Sequence, residues 1–98
     1  MGDETFPVIL ETFYGEGEHL RAPRIRPVDG QGLAPEMRVD CCTQMRTSQP
    51  LGSYFELKVR LVSRQTGFAL YAPRKAAFEV LSRLEVARRI KQRGPIRL

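Results

Sequence analysis

The sequence predicts an α+β fold: a twisted antiparallel sheet of four to five strands, open or barrel-like, packed by one C-terminal amphipathic helix. Three observations carry that reading. Phe55, Leu57, Val59 and Leu61 recur every second residue, with Glu56, Lys58 and Arg60 between them, which is the period of a half-buried strand. From Pro73 to Arg93 the period becomes 3.6, and Ala77, Val80, Leu81, Leu84, Ala87 and Ile90 fall in one stripe, as on an amphipathic helix. Elsewhere, glycine and proline clusters at Gly15 to Gly17, Asp29 to Gly32 and Pro50 to Gly52 divide the chain into short segments.

Phe6 to Tyr14 is rich in β-branched and aromatic residues and has no helix cap, so a first strand is expected, with Pro7 near its start or on an edge. His19 to Val28 is basic and carries Pro23 and Pro27 around Arg24, Ile25 and Arg26, so at best it forms a short edge strand. Asp29 to Gly32 is a turn. Met37, Val39 and Cys41 alternate with Arg38 and Asp40 in a further short strand, and Cys42 to Ser48 has room for one helical turn, with Met45 facing inward. The alternating stretch then runs to a turn at Arg64 to Gly67, and Phe68 to Tyr71 returns as its partner.

Pro73 suits the first turn of the final helix and Gly94 with Pro95 its stop. The stripe of that helix is expected to cover the apolar face of Phe55, Leu57, Val59 and Leu61. The expected core is Val8, Leu10, Val39, Cys41, Met45, Phe55, Leu57, Val59, Leu61, Leu70, Phe78, Leu81, Leu84 and Ala87. Residues 1–4 and 95–98 are expected to fray.

With 98 residues, there is room for one core and one domain. An apolar content of 42% with 28% charged residues is that of a globular chain. No apolar run approaches the roughly 18 residues of a membrane span, and the acidic start Met1 to Glu4 has the wrong sign for a secretory signal. The cytoplasm is the expected compartment. Cys41 and Cys42 are adjacent; neighbouring cysteines rarely meet disulfide geometry, so small reduced hydrophobes are expected. A redox role for either thiol would need an exposed, electropositive setting.

Charge is placed unevenly. Residues 1–20 hold Asp3, Glu4, Glu11, Glu16 and Glu18 and no lysine or arginine, whereas from residue 74 onward eight Lys or Arg face only Glu79 and Glu85. A basic segment of this kind attracts polyanions, and an acidic head can also pair with it inside the chain or in a second copy.

Nucleic-acid binding is the first functional expectation. Lys58 and Arg60 share the polar face of the long strand, Arg64 lies at its turn, and Arg38 and Arg46 join them if the strands are neighbours. Arg83, Arg88 and Arg89 add the helix. Tyr54, Tyr71, Phe13 and Tyr14 are candidate stacking rings of the kind single-strand binders use. Against this, Glu56 sits in the middle of that face, and a solvated sheet face with cross-strand ion pairs explains the same pattern.

The second expectation is enzymatic. Asp40, followed by Glu56 and Lys58, fits the spacing of a Mg²⁺-dependent nuclease, in which two carboxylates on adjacent strands hold the metal and the lysine positions the attacking water. Other chemistries lack residues: His19 is the one histidine, too few for a histidine–cysteine metal site, and Gly30 to Gly32 is too short for a phosphate loop. No catalytic residue, cofactor or metal ligand is therefore assigned. The third expectation is a homo-oligomeric interaction module, a homodimer above all, since a core this small gains from self-association.

Val39 to Cys42, Met45, Arg46, Pro50 to Gly52, Phe55 to Leu61, Gly67, Leu70 and Tyr71 together resemble small uncharacterised bacterial proteins of mobile gene pools, integron cassettes among them. The resemblance covers about half of the chain. It implies a standalone α+β domain with an accessory role, and it carries no catalytic residue or cofactor to this sequence.

Overall fold

The computed structural model describes residues 5–13, 24–34, 36–40, 52–65, 67–72 and 77–96. Among these, the elements are β1 (Phe6–Phe13), β2 (Arg24–Pro27), β3 (Arg38–Asp40), β4 (Tyr54–Arg64), β5 (Gly67–Tyr71), β6 (Phe78–Leu81) and one helix, α1 (Arg83–Arg93). The architecture is α+β with a sheet curled nearly into a barrel, as expected, but six strands take part and one pairing is parallel. The hydrogen-bonded order is β2-β1-β4-β5-β3, with β6 joined to β4. The β3–β5 pair is the parallel one, and the end strands β2 and β3 come close to each other. Among the described residues, no helix is long and apolar enough to cross a membrane.

The long strand β4 organises the sheet because its two halves are used differently. Tyr54 to Val59 pairs with β1 on one edge, and Tyr54 to Leu57 pairs with β6 on the other. Arg60 to Arg64 pairs with β5 through a hairpin that sets Arg64 opposite Gly67. The strand is eleven residues long, and alternation from Phe55 to Leu61 keeps one apolar face turned inward over most of it.

That inward face forms the main core. Phe55, Leu57 and Val59 are buried with Val8, Leu10, Ile25, Leu33, Leu70 and Ala72, and Phe6, Met37, Val39, Leu61 and Ile96 pack around them. Full burial of such side chains stabilises by roughly 1.5–3 kcal/mol each. The apolar face of β4 is thus covered by the curled sheet itself. The expected covering helix lies on the opposite, outer face.

The single helix expected over 73–93 is corrected in two ways. Within its described part, Phe78–Leu81 is a strand, and the helix spans Arg83–Arg93 alone. Phe78 and Val80 suit a strand, and β4 offers Tyr54 to Leu57 a second edge on which to seat it. Ser82 then starts the helix: its hydroxyl accepts from the Glu85 N–H at 3.2 Å, the serine half of a capping box.

Starting the helix at Arg83 also rotates its faces. Val86 is buried and Ile90 half-buried in a second small cluster with Ile9, Leu81, Val28 and Tyr54. Leu84, expected in the core, is 85% exposed, and Ala87 is exposed as well. Phe78 is also more exposed than a core residue, although its ring packs edge-on against Phe55 at 5.7 Å. Of the other expected core positions, Cys41 and Met45 lie outside the described residues, as does the helical turn expected at Cys42 to Ser48.

The turn after β2 anchors the far end of the helix. Gln31, a buried polar residue, accepts from the Ile9 N–H at 2.8 Å and donates to the carbonyls of Ile9 at 2.8 Å and Val28 at 2.9 Å. Its amide thereby continues the β1 ladder where β2 leaves it. The Gln31 carbonyl accepts from the Ile96 N–H at 2.6 Å, so Pro95 and Ile96, expected to fray, are docked. Gly32, at φ +84°, lets this happen, because a Cβ there would meet Pro95 Cβ at 3.0 Å and Ile96 N at 3.2 Å.

Candidate nucleic-acid interface

Side chains pointing out of the curled sheet fall into two groups of opposite character. The first lies under α1. Ile9 of β1, Glu56 of β4 and Glu79 of β6 stand in one row across three strands. Glu56 and Glu79 are directly opposed, and like charges so placed destabilise a sheet unless something neutralises them.

Arg89 of α1 does so. It donates to Glu79 at 2.9 and 3.1 Å, to Glu85 at 2.7 Å, and lies 3.3 Å from Glu56. Arg93 donates to Glu56 from one turn further on, and Arg88 donates to Glu85, at 3.0 Å through Nε. Arg89 is only 18% exposed. The hydrogen bonds from Arg88 and Arg89 hold the Glu85 carboxyl down at about 2. The Arg89 hydrogen bond lowers Glu79 in the same way, and Glu79 and Glu85 in turn raise the Arg89 guanidinium. The basicity of the helix is in large part internal: Arg88 and Arg89, expected to meet nucleic acid, face carboxylates of their own chain.

The second group lies on the outer face of β4, β5 and β3. Arg60, Tyr71 and Asp40 are aligned across the three strands. The Arg60 guanidinium stacks on the Tyr71 ring with its carbon 4.9 Å from the centroid, a cation–π contact. Lys58 is exposed one alternation back along β4. Two residues before Asp40, Arg38 donates to it at 2.8 Å through Nε while its side chain stays 77% exposed. Three expected contact residues, Arg38, Lys58 and Arg60, are therefore brought to one face beside an aromatic ring. Arg83 sits apart on the exposed start of α1. Arg64 ends β4, and Arg46 lies outside the described residues, as do Tyr14, His19, Cys41 and Cys42.

The same geometry separates the nuclease set. Asp40 is in register with Arg60, two strands from β4 and four residues from Glu56, which is roughly 13 Å along the strand and two steps of about 4.8 Å across. Glu56 is moreover engaged by Arg89 and Arg93. The two carboxylates do not form a shared metal site.

A second cation–aromatic cluster went unforeseen. On β1 and β2, Phe13 carries Arg26 at 4.2 Å and Arg24 at 5.8 Å from its ring centroid, and Arg26 also pairs with Glu11 at 2.8 Å. The alternation of Arg24 and Arg26 about Ile25 was its signal in the sequence. No such signal marked Gln31 as a buried anchor. Arg93 and Glu79 were legible as charges, but their partners, Glu56 and Arg89, were not, because those are set by how α1 docks across β4 and β6.

No family model, curated protein or solved structure matches the chain.

Proposed function

We propose that this is a small non-enzymatic binding protein for single-stranded nucleic acid or a related polyanion, and that it binds through the outer face of β4, β5 and β3. One observation carries the reading: Arg38, Lys58 and Arg60 are spread along the face that holds the Arg60–Tyr71 stack, while much of the helix charge is satisfied internally. Cations along a sheet face with a ring among them hold a phosphate backbone and stack a base. A cytoplasmic, accessory role of the kind found among mobile genes suits such a protein.

The test is titration of a labelled single-stranded oligonucleotide across a salt series. Three phosphate contacts give a log–log slope of about −2 for a single strand. Lys58→Glu and Arg38→Glu should each weaken binding and flatten that slope, whereas Arg83→Glu, away from this face, should change neither. Absence of binding at low salt would reject the proposal.

A homo-oligomer is the second reading. Its support is the exposure of Phe68 and Leu84, together with Val80, since large apolar side chains in the open favour contacts with another surface. Molecular mass in solution separates a monomer from a dimer.

A further inference from the structure

We propose that α1 is a strap that opens by itself: tethered at both ends, it melts away from the sheet as a local unit while the curled sheet stays folded. Its eleven residues are fewer than the roughly 12–15 at which an isolated helix becomes even marginal in water. Its helical state therefore depends on docking. Among the described residues the two hydrophobic clusters are distinct, and α1 supplies only Val86 and Ile90 to the smaller one and nothing to the main core. The rest of its inward stripe is Arg89 and Arg93, held by Glu56, Glu79 and Glu85.

The tethers are separate from the helix. On one side Leu81 ends β6 within the β4 ladder. On the other, Ile96 packs on the main core and its N–H donates to the Gln31 carbonyl. Between them the chain can lose its helical hydrogen bonds without disturbing either anchor. Opening uncovers an apolar strip, Ile9 and Leu81, bordered by the carboxylates of Glu56 and Glu79. Other charges near Glu56 are Lys58 on the same strand and, further along β1 and β2, the Glu11–Arg26 pair. The residue opposite Glu56 on β1 is the uncharged Ile9.

Amide hydrogen exchange of the full chain at pH 7 tests this, since exchange reads local and global opening separately. In the wild-type protein the amides of Ala87 to Arg93 should exchange at least tenfold faster than the ladder amides shared by β1 and β4. Leu57→Ala in the main core should accelerate the ladder amides and leave the helix amides unchanged, because the docked and the open helix lose that contact alike. Arg89→Met should instead accelerate the helix amides by a further tenfold or more. Glu56→Gln combined with Glu79→Gln, which removes the charge but keeps neutral acceptors, should do the same. Equal protection of helix and ladder in the wild type overturns the proposal. So does acceleration of the helix amides by Leu57→Ala, or no acceleration of the helix by Arg89→Met or the double glutamine variant.

Discussion

Glu56 and Glu79 face each other directly across the antiparallel β4–β6 pair, and one guanidinium, that of Arg89, serves both. Arg89 offsets the cross-strand repulsion, with Arg93 adding a second cation at Glu56, and this couples the two carboxylates to the helix. Arg89→Met should lower the melting temperature, and adding Glu79→Gln should recover part of the loss by removing one of the opposed charges. A double-mutant cycle measures this coupling; strictly additive effects would show that the opposed carboxylates do not interact. Arg89→Lys should rescue poorly, because an ammonium lacks the planar fork that reaches Glu79 with two bonds and Glu85 with a third.

The same cluster sets the response to acid. Hydrogen bonds from Arg88 and Arg89 hold Glu85 at about 2, and Arg89 lowers Glu79 as well. Below the ordinary carboxylate value of about 4.3, the unfolded chain takes up protons that the folded chain still refuses. The stabilisation is therefore complete above that value and is lost progressively as pH falls toward 2. The wild-type melting temperature should drop across this window more steeply than that of Arg89→Met. Parallel curves would assign the acid response to other groups.

The main core is a separate matter from the strap. Leu57 is almost fully buried within it, so Leu57→Ala should cost about 2–5 kcal/mol in denaturant unfolding. Leu84 is 85% exposed, so Leu84→Ala should change stability by less than about 0.5 kcal/mol.

That contrast shows where sequence reasoning succeeds and where it stops. The alternation through Phe55, Leu57 and Val59 is a local property, and it identified both the strand and its inward face. The helix was legible as a helix, but its inward stripe is Val86, Arg89, Ile90 and Arg93, half of it cationic. A search for apolar periodicity selects Leu84 and Ala87 instead, because it cannot know that carboxylates on β4 and β6 wait beneath the arginines. The Ser82-to-Glu85 spacing was the one local clue that the helix starts late. At the candidate interface, Arg38, Lys58 and Arg60 could be nominated from alternation and charge. The Arg60–Tyr71 stack follows from the β4–β5 hairpin that the turn at Arg64 to Gly67 announced, whereas the arrival of Arg38 on the same face depends on a parallel β3–β5 pairing that no sequence pattern announced.

Two glycines with similar backbone angles should respond differently to a methyl group. Gly32 at φ +84° would place its Cβ 3.0 Å from Pro95 and 3.2 Å from Ile96 N, whereas at Gly52, φ +81°, no described residue comes within 4 Å of that position. Gly52→Ala should cost only the left-handed backbone, about 1–2 kcal/mol. Gly32→Ala should cost more and should speed exchange of the Ile96 amide, whose bond to the Gln31 carbonyl depends on that close approach. Equal losses would mean that the C-terminal segment shifts freely out of the way.

Gln31 offers the sharpest test of the anchor beneath the strap. Its side chain accepts from the buried Ile9 N–H and donates to the Ile9 and Val28 carbonyls. The Ile9 carbonyl has a second partner in the Val28 N–H at 3.0 Å, so Gln31→Leu chiefly orphans the Ile9 N–H, at about 1–3 kcal/mol. Gln31→Glu keeps an acceptor for that N–H but turns a second oxygen toward two carbonyls, an arrangement that is satisfied only if the carboxyl carries a proton. Burial and those carbonyls must raise the acid above its ordinary value of about 4.3. For a raised acid the folded state binds the extra proton, so stability is lost as pH rises and regained as it falls. The Gln31→Glu protein should therefore be more stable, relative to wild type, at pH 5 than at pH 7. A deficit that is constant between these two pH values would show that the side chain has swung out of its buried position.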